Sequence, residues 1–375
     1  MLSRIVVCAV VMYVGSPVWA DSQLSLNNTM TKIGEEMVQL LPMVIGQTSL
    51  GNQQKTQITA STNRLVGLFR QAGPQIKQKS TTYNVSYRLV LDYLERTQNM
   101  MGSNRWELAQ GRLASLGEIC TTCHTQDTKL RTLFPGSERD KFSDDYSYAE
   151  FNFYTRNYAD AELYYDHYLK SVGHKIDKDI INVFQRLVTI YAQIYNRPGE
   201  GAAKLSKHLH LFPEDTNVKK RLVALVFGLQ TLEQQGLSKV KEVDDKTLEK
   251  YVHRYLGPLD QPASDFLIRP EEEVSRVWLR GLLFHHLNRA PKKTEIPKIL
   301  YWLAVTDRSL DYNYYYSLAD LYLKECVYSY SSHLYAKKCY QEYREYVLFS
   351  YTGSAGEFIP EDVEVELDEL KSALK

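Results

Sequence analysis

The sequence predicts an all-α protein in two parts: an N-terminal antiparallel four-helix bundle, then a C-terminal solenoid of α-helical hairpins. Three observations predict it. Apolar residues recur at steps of three and four through almost every segment, which is the helical period. The breaks between segments are short and rich in Gly, Pro, Ser and Asn, so successive helices must run antiparallel. The 28 tyrosines fall mostly after Tyr146, a composition shift that marks the join of two different modules.

The chain opens MLSRIVVCAVVMYVGSPVWA. Arg4 supplies a positive start, residues 5–14 an apolar core, and Val18-Trp19-Ala20 a small-x-small cleavage site. Residues 1–20 are therefore expected to be a secretory signal peptide. The apolar run is too short to span a bilayer, and no later stretch is long and apolar enough to do so. The reading is of an exported, periplasmic protein without a transmembrane segment. The formal net charge of zero gives no reason to expect a nucleic-acid partner.

Four helices are expected within residues 21–131. The first, 25–45, carries the stripe Met30, Ile33, Met37, Leu40, Leu41 and Val44. The second, 55–71, turns Ile58, Leu65, Leu68 and Phe69 inward and is stopped by Gly73-Pro74. The third, 82–97, carries Tyr83, Tyr87, Val90 and Leu94. The fourth, 104–126, has the stripe Trp106, Ala109, Leu113, Leu116, Cys120 and Cys123.

The fourth helix ends in EICTTCHTQ. With 5 Cys and 9 His in 375 residues, a chance C-x-x-C-H is rare. The motif reads as a c-type haem attachment site: the Cys120 and Cys123 thiols form thioethers with the haem vinyl groups, and the His124 imidazole ligates the iron. A dithiol redox pair would want a βαβ context, which this region lacks. A structural zinc site would want two more Cys or His at tight spacing. Export agrees with haem, since c-type haem is attached outside the cytoplasm. The motif occurs once, so a single covalent haem c is expected.

Topology bears on the second iron ligand. In an antiparallel bundle the end of helix four lies beside the start of helix one. Met30 sits there, facing inward. Met37 is about 10 Å further along the axis, Met43 further still, and Met100 and Met101 lie in the connection at the opposite end, about 30 Å away. Of these methionines only Met30 is placed to reach the iron opposite His124; the alternative is an ordinary core methionine.

A four-helix bundle with C-x-x-C-H at the end of its last helix resembles the cytochrome c-prime family. The stretch MTKIGEEMVQLLPMVIG, residues 30–46, is similar to the first helix of the family's low-spin members, in which a Met near the helix start is the sixth ligand. Gly34 and Gly46 match recurrent small positions. The resemblance covers residues 21–131. It implies Cys120 and Cys123 as attachment points, His124 as proximal ligand and Met30 as distal ligand. It also allows a homodimer. One departure follows the motif: the family often has an aromatic and then Arg soon after the His, where this chain has TQDTKLR. Lys129 or Arg131 would take the haem propionate contact.

A Met/His-ligated iron has no open position and suits one-electron transfer. An open or displaceable distal site would instead suit an NO- or CO-binding or sensing protein, which is the alternative reading. No Ser-His-Asp signature, phosphate loop or dinucleotide fingerprint points to an enzyme, and no distal His or Arg supports a peroxidase.

Residues 132–146 are expected to be a linker and 147–375 the helical-repeat module. Residues 148–169 place Ala149, Tyr158, Ala161, Tyr165 and Tyr168 near the small and aromatic positions of a tetratricopeptide hairpin. Further helices are expected at 179–195, 199–211, from 217, and at 271–288, 296–306, 312–328 and 331–346, with 238–270 less regular. Solenoids bind proteins on concave faces, so this module is expected to dock a redox protein partner. Aromatics at repeat positions read as packing. His208 and His210, like His285 and His286, point to different helix faces and make no metal site. Cys326 and Cys339 could pair in an oxidising compartment, although spacing alone does not show that they meet. The tail EDVEVELDEL is expected to be a solvated or frayed acidic helix.

Overall fold

The computed structural model describes residues 26–45, 50–78, 81–117, 119–120, 138–172, 179–214, 216–240, 242–257, 268–289, 291–310, 314, 317–353 and 356–375. The expected signal peptide, Cys123, His124, Lys129 and Arg131 lie outside them. Fifteen α-helices make up the described fold, apart from three short 3₁₀ turns, one π-helical stretch and a two-residue antiparallel ladder, Thr352–Gly353 with Gly356–Glu357. The fold is all-α. No helix among the described residues is long and apolar enough to cross a membrane.

Four helices come first: α1 (Leu26–Val44), α2 (Asn52–Ile76), α3 (Thr81–Gly102) and α4 (Trp106–Ala114). Each packs on the next, and α4 closes against α1. Cross-helix hydrogen bonds set the direction. Asn63 pairs with Gln98 and Arg70 with Glu95, so α2 and α3 run antiparallel. Arg64 holds Glu36 across α1 and α2 at 2.7 Å, and the Tyr93 hydroxyl donates to the Arg112 carbonyl across α3 and α4. The expected stripes form the interior: Ile33, Met37, Leu40, Leu41, Ile58, Leu65, Val90, Leu94, Ala109, Leu113 and Leu116 are all buried.

Three local expectations are corrected. Gly73-Pro74 does not stop α2, which continues to Ile76. Gly73 is instead a close-approach position: a Cβ there would come within 2.9 Å of the Tyr87 ring carbon that bears the hydroxyl. Pro74 lacks the N–H that would bond four residues back, and the helix ends two residues later at Ile76. Met100 and Met101 belong to the last turns of α3 rather than to a connection. The fourth helical run is interrupted at Ser115, a turn residue, and resumes at 116–117 and 119–120.

The chain crosses by a 3₁₀ turn, Arg139–Lys141, into α5 (Asp145–Tyr154), whose N-cap Asp144 accepts from the Ser147 amide at 2.7 Å. The expected linker is thus helical from Asp145. Then follow α6 (Tyr158–Val172), α7 (Asp179–Val188), the π-helical Thr189–Ile194, α8 (Pro198–Ser206), α9 (Asn217–Gln234), α10 (Asp245–Leu256), α11 (Pro270–Asn288), α12 (Ile296–Ser309), α13 (Ala319–Ser329), α14 (Leu334–Tyr351) and α15 (Glu361–Ala373). These helices pack mainly on chain neighbours and on the next but one. Within the stretch expected to be less regular, residues 245–256 form a helix, α10, which Asp244 caps by accepting from the Thr247 amide at 2.7 Å. Ala149, Tyr158, Ala161, Tyr165 and Tyr168 are all buried, so these aromatics serve packing. Cys326 and Cys339 form a disulfide between α13 and α14, with Cα atoms 6.3 Å apart. The acidic tail is docked, not frayed: Leu367 and Leu370 of α15 are buried, and Glu366 accepts from the Tyr343 hydroxyl.

Among the described residues the first part of the chain packs on the later helices, chiefly α3 on α13. Arg88 of α3 pairs with Glu325 of α13 at 2.5 Å. The Tyr154 ring of α5 lies against Gly117, where a Cβ would overlap it.

Gly228 tests the stacking of α9 on α11. A Cβ there would meet Val274 Cγ2 at 2.7 Å and the Glu271 carbonyl oxygen at 2.8 Å. In an open helix Gly→Ala gains about 1 kcal/mol. Here overpacking against backbone should win, and Gly228→Ala should lose about 1–3 kcal/mol in urea unfolding. A stabilised variant would contradict this contact.

Candidate haem site and helical groove

Met30 lies one turn into α1, half-buried against the core, while Met37 is buried two turns deeper. The antiparallel order returns the end of the fourth helical run to the end where α1 begins. Cys120, also half-buried, stands at that end. Their apolar neighbours along the two helical runs, Ile33, Leu113, Leu116 and Ile119, are buried. Gly34, one turn after Met30, is buried and adds no side chain to this end. Met43 lies at the far end of α1, and Met100 and Met101 at the far end of α3.

Cys120 and Met30 are the members of the expected haem set that lie among the described residues. A half-buried thiol and a half-buried thioether share one end of an apolar helical ring, and the thioether is a soft ligand suited to haem iron. Cys123 and His124 would complete the donor set, but both lie outside the described residues.

Sequence reasoning missed what stands behind this end. Arg186 of α7 and Glu150 of α5 form an ion pair with both side chains more than nine-tenths buried. Arg186 donates from Nε to Glu150 Oε1 at 3.2 Å and from Nη2 to Oε2 at 3.1 Å, while its Nη1 donates to the Tyr314 carbonyl at 3.0 Å. The Tyr154 and Tyr165 hydroxyls both donate to Glu150. Burial, reinforced by the Glu150 charge, pushes the Tyr165 hydroxyl well above its ordinary range, so it stays a donor. The signal available in the sequence was a lone Glu in AEFNFY and a lone Arg in VFQRLV. The residues are 36 apart, so their pairing was not.

A second feature is a groove of about 710 Å³ between α6, the π-helical stretch and α8. Leu163, Leu187, Leu205 and Tyr191 give it an apolar floor. Lys204 pairs with Glu162, and Asp166 pairs with both Lys170 and His208. The π-helical turn at Tyr191, closed by the Tyr195 amide on the Ile190 carbonyl at 2.7 Å, shapes one wall. Isolated π turns occur often at functional positions. Among the described residues no group of three or more His, Cys, Asp or Glu could hold a metal ion. Comparisons with protein-family models, with curated proteins and with solved structures found no match.

Burial pushes His208 below the ordinary imidazole range, outweighing the Asp166 carboxylate 3.1 Å away, which pulls the other way. The unfolded chain therefore takes up a proton more readily than the folded one. The stability this gives is full above the ordinary imidazole range, near pH 6.5, and is lost as pH falls through and below it. His208→Gln should lose less stability than the parent between pH 7 and 5 in thermal unfolding. An equal loss would remove His208 from the account.

Proposed function

We propose that the chain is an exported monohaem c-type cytochrome, similar in its first part to low-spin cytochrome c-prime and joined to a tetratricopeptide-like helical module. The observation that carries this is the C-x-x-C-H motif at the end of four antiparallel helices, with the half-buried Met30 at the same end. Cys120 and Cys123 would hold haem c, and His124 and Met30 would ligate its iron. A haem with both axial positions filled in this way supplies one-electron transfer. The chain's own part is to keep the ligand sulfur in place and water out. Ile33, Leu113, Leu116 and Ile119 present an apolar wall, and the continuity of α1 from Met30 into the buried Ile33, Met37 and Leu40 fixes where the thioether stands.

The N-terminal signal sequence supports export to the periplasm. The groove between α6 and α8 supports a docking role for the helical module, with another redox protein as its partner. The neutral net charge gives no support to nucleic-acid binding.

The test is the absorption spectrum of the mature protein, oxidised and reduced, with and without CO. A low-spin spectrum unchanged by CO is expected. Met30→Ala should turn the iron high-spin and open it to CO. A Met30→Ala spectrum identical to the parent's would remove Met30 as ligand. A high-spin parent that takes up CO readily would favour NO or CO sensing instead.

A further inference from the structure

We infer that the later helices build one wall of the haem site, and that Tyr154, braced by Glu150 and Arg186, is a positioning residue for the haem-bearing end of the fourth helical run. The inference rests on the haem reading above and adds residues that the motif does not contain.

The end of the fourth run is buried on more than its core seam: Leu116, Gly117 and Ile119 are all buried. A helix in a free-standing bundle would leave one of these faces in water. Here α5 covers it. The Tyr154 ring occupies the place where any side chain at 117 would stand. Gly117 precedes Cys120 by three residues, about 4.5 Å along a helix axis, and residues three apart share a face. Tyr154 therefore lies within about one helical turn of the attachment sulfur and on its side of the helix.

Tyr154 is held from behind. Its hydroxyl donates to Glu150, and the Arg186 guanidinium lies 5.6 Å from the Tyr154 ring centre and 4.9 Å from that of Phe153. Glu150 and Arg186 are a desolvated pair of opposite charges. Buried charges act over longer distances than exposed ones because little water screens them. The balance of this pair should therefore be felt at the haem. Removing the Tyr154 hydroxyl leaves the net charge unchanged but takes a donor dipole from Glu150, so its carboxylate is less compensated and favours the oxidised iron. Neutralising Glu150 leaves Arg186 in excess and favours the reduced iron.

The test compares Tyr154→Phe and Glu150→Gln in the full-length haem protein by absorption spectrum and reduction potential. Tyr154→Phe keeps the ring against Gly117 and should lower the potential; Glu150→Gln should raise it; both should keep the parent's low-spin spectrum. A packing role alone would not give shifts of opposite sign. Glu150→Gln risks unfolding, so Tyr154→Phe decides alone if it must: an unshifted potential with an intact spectrum overturns the inference and leaves the haem reading standing. Amide hydrogen exchange gives a reading that does not depend on haem chemistry. Gly117→Ala should lose protection over Asp145–Tyr154, and unchanged protection would overturn the contact. If no haem is attached at all, the inference falls together with the reading beneath it.

Discussion

The closure of the fourth helical run against α1 is the constraint on which the candidate site depends. Ala109, Leu113 and Leu116 are fully buried on one side of that contact, and Ile33, Met37 and Leu40 are buried on the other. Burying a side chain of this size contributes roughly 1.5–3 kcal/mol, so the seam outweighs the loss of helix at Ser115. The seam also sets a polarity. Three antiparallel connections return the chain to where it began, and the thioether at residue 30 then shares an end with the thiol at residue 120. Without that closure the motif would sit on a helix end with nothing opposite it.

The second constraint is the buried Arg186–Glu150 pair. Two charges out of water are stable only when their remaining donors and acceptors are used. Here Tyr154, Tyr165 and the Tyr314 carbonyl use them. Removing one partner of such a pair costs about 3–5 kcal/mol, which ties α5, α7 and the segment at Tyr314 into one unit. Tyr154 belongs both to this unit and to the surface that meets Gly117. The later helices are therefore not a separate arm on a tether. They are packed on α3 through Arg88–Glu325 and on the end of the fourth run through Tyr154.

Much of this was legible in the sequence, because helical periodicity is a local signal. The stripes of α1 to α4, and the buried alanines and tyrosines of α5 and α6, were read from spacing alone. What was not legible is instructive. Gly73-Pro74 looks like a stop because each residue weakens a helix, yet close packing by Tyr87 makes Gly73 an asset, and α2 ends only two residues after Pro74. The Asp244 cap was present as D-x-x-T and was overlooked in a polar stretch. Cys326 and Cys339 meet because α13 and α14 fold back on each other, which spacing could not show. Glu150 and Arg186 are paired only by tertiary structure. The C-x-x-C-H motif has the opposite character: it is defined by residue types and spacing, and Cys123 and His124 lie outside the described residues.

The central claim is that the Cys120–Cys123–His124 motif carries a covalent haem. It is tested most directly by denaturing mass spectrometry of the mature exported protein, followed by digestion to the peptide that contains the motif. The account predicts one haem mass that survives denaturation and maps to that peptide through both cysteines. A peptide with unmodified thiols, or with Cys120 and Cys123 joined only to each other, would contradict it.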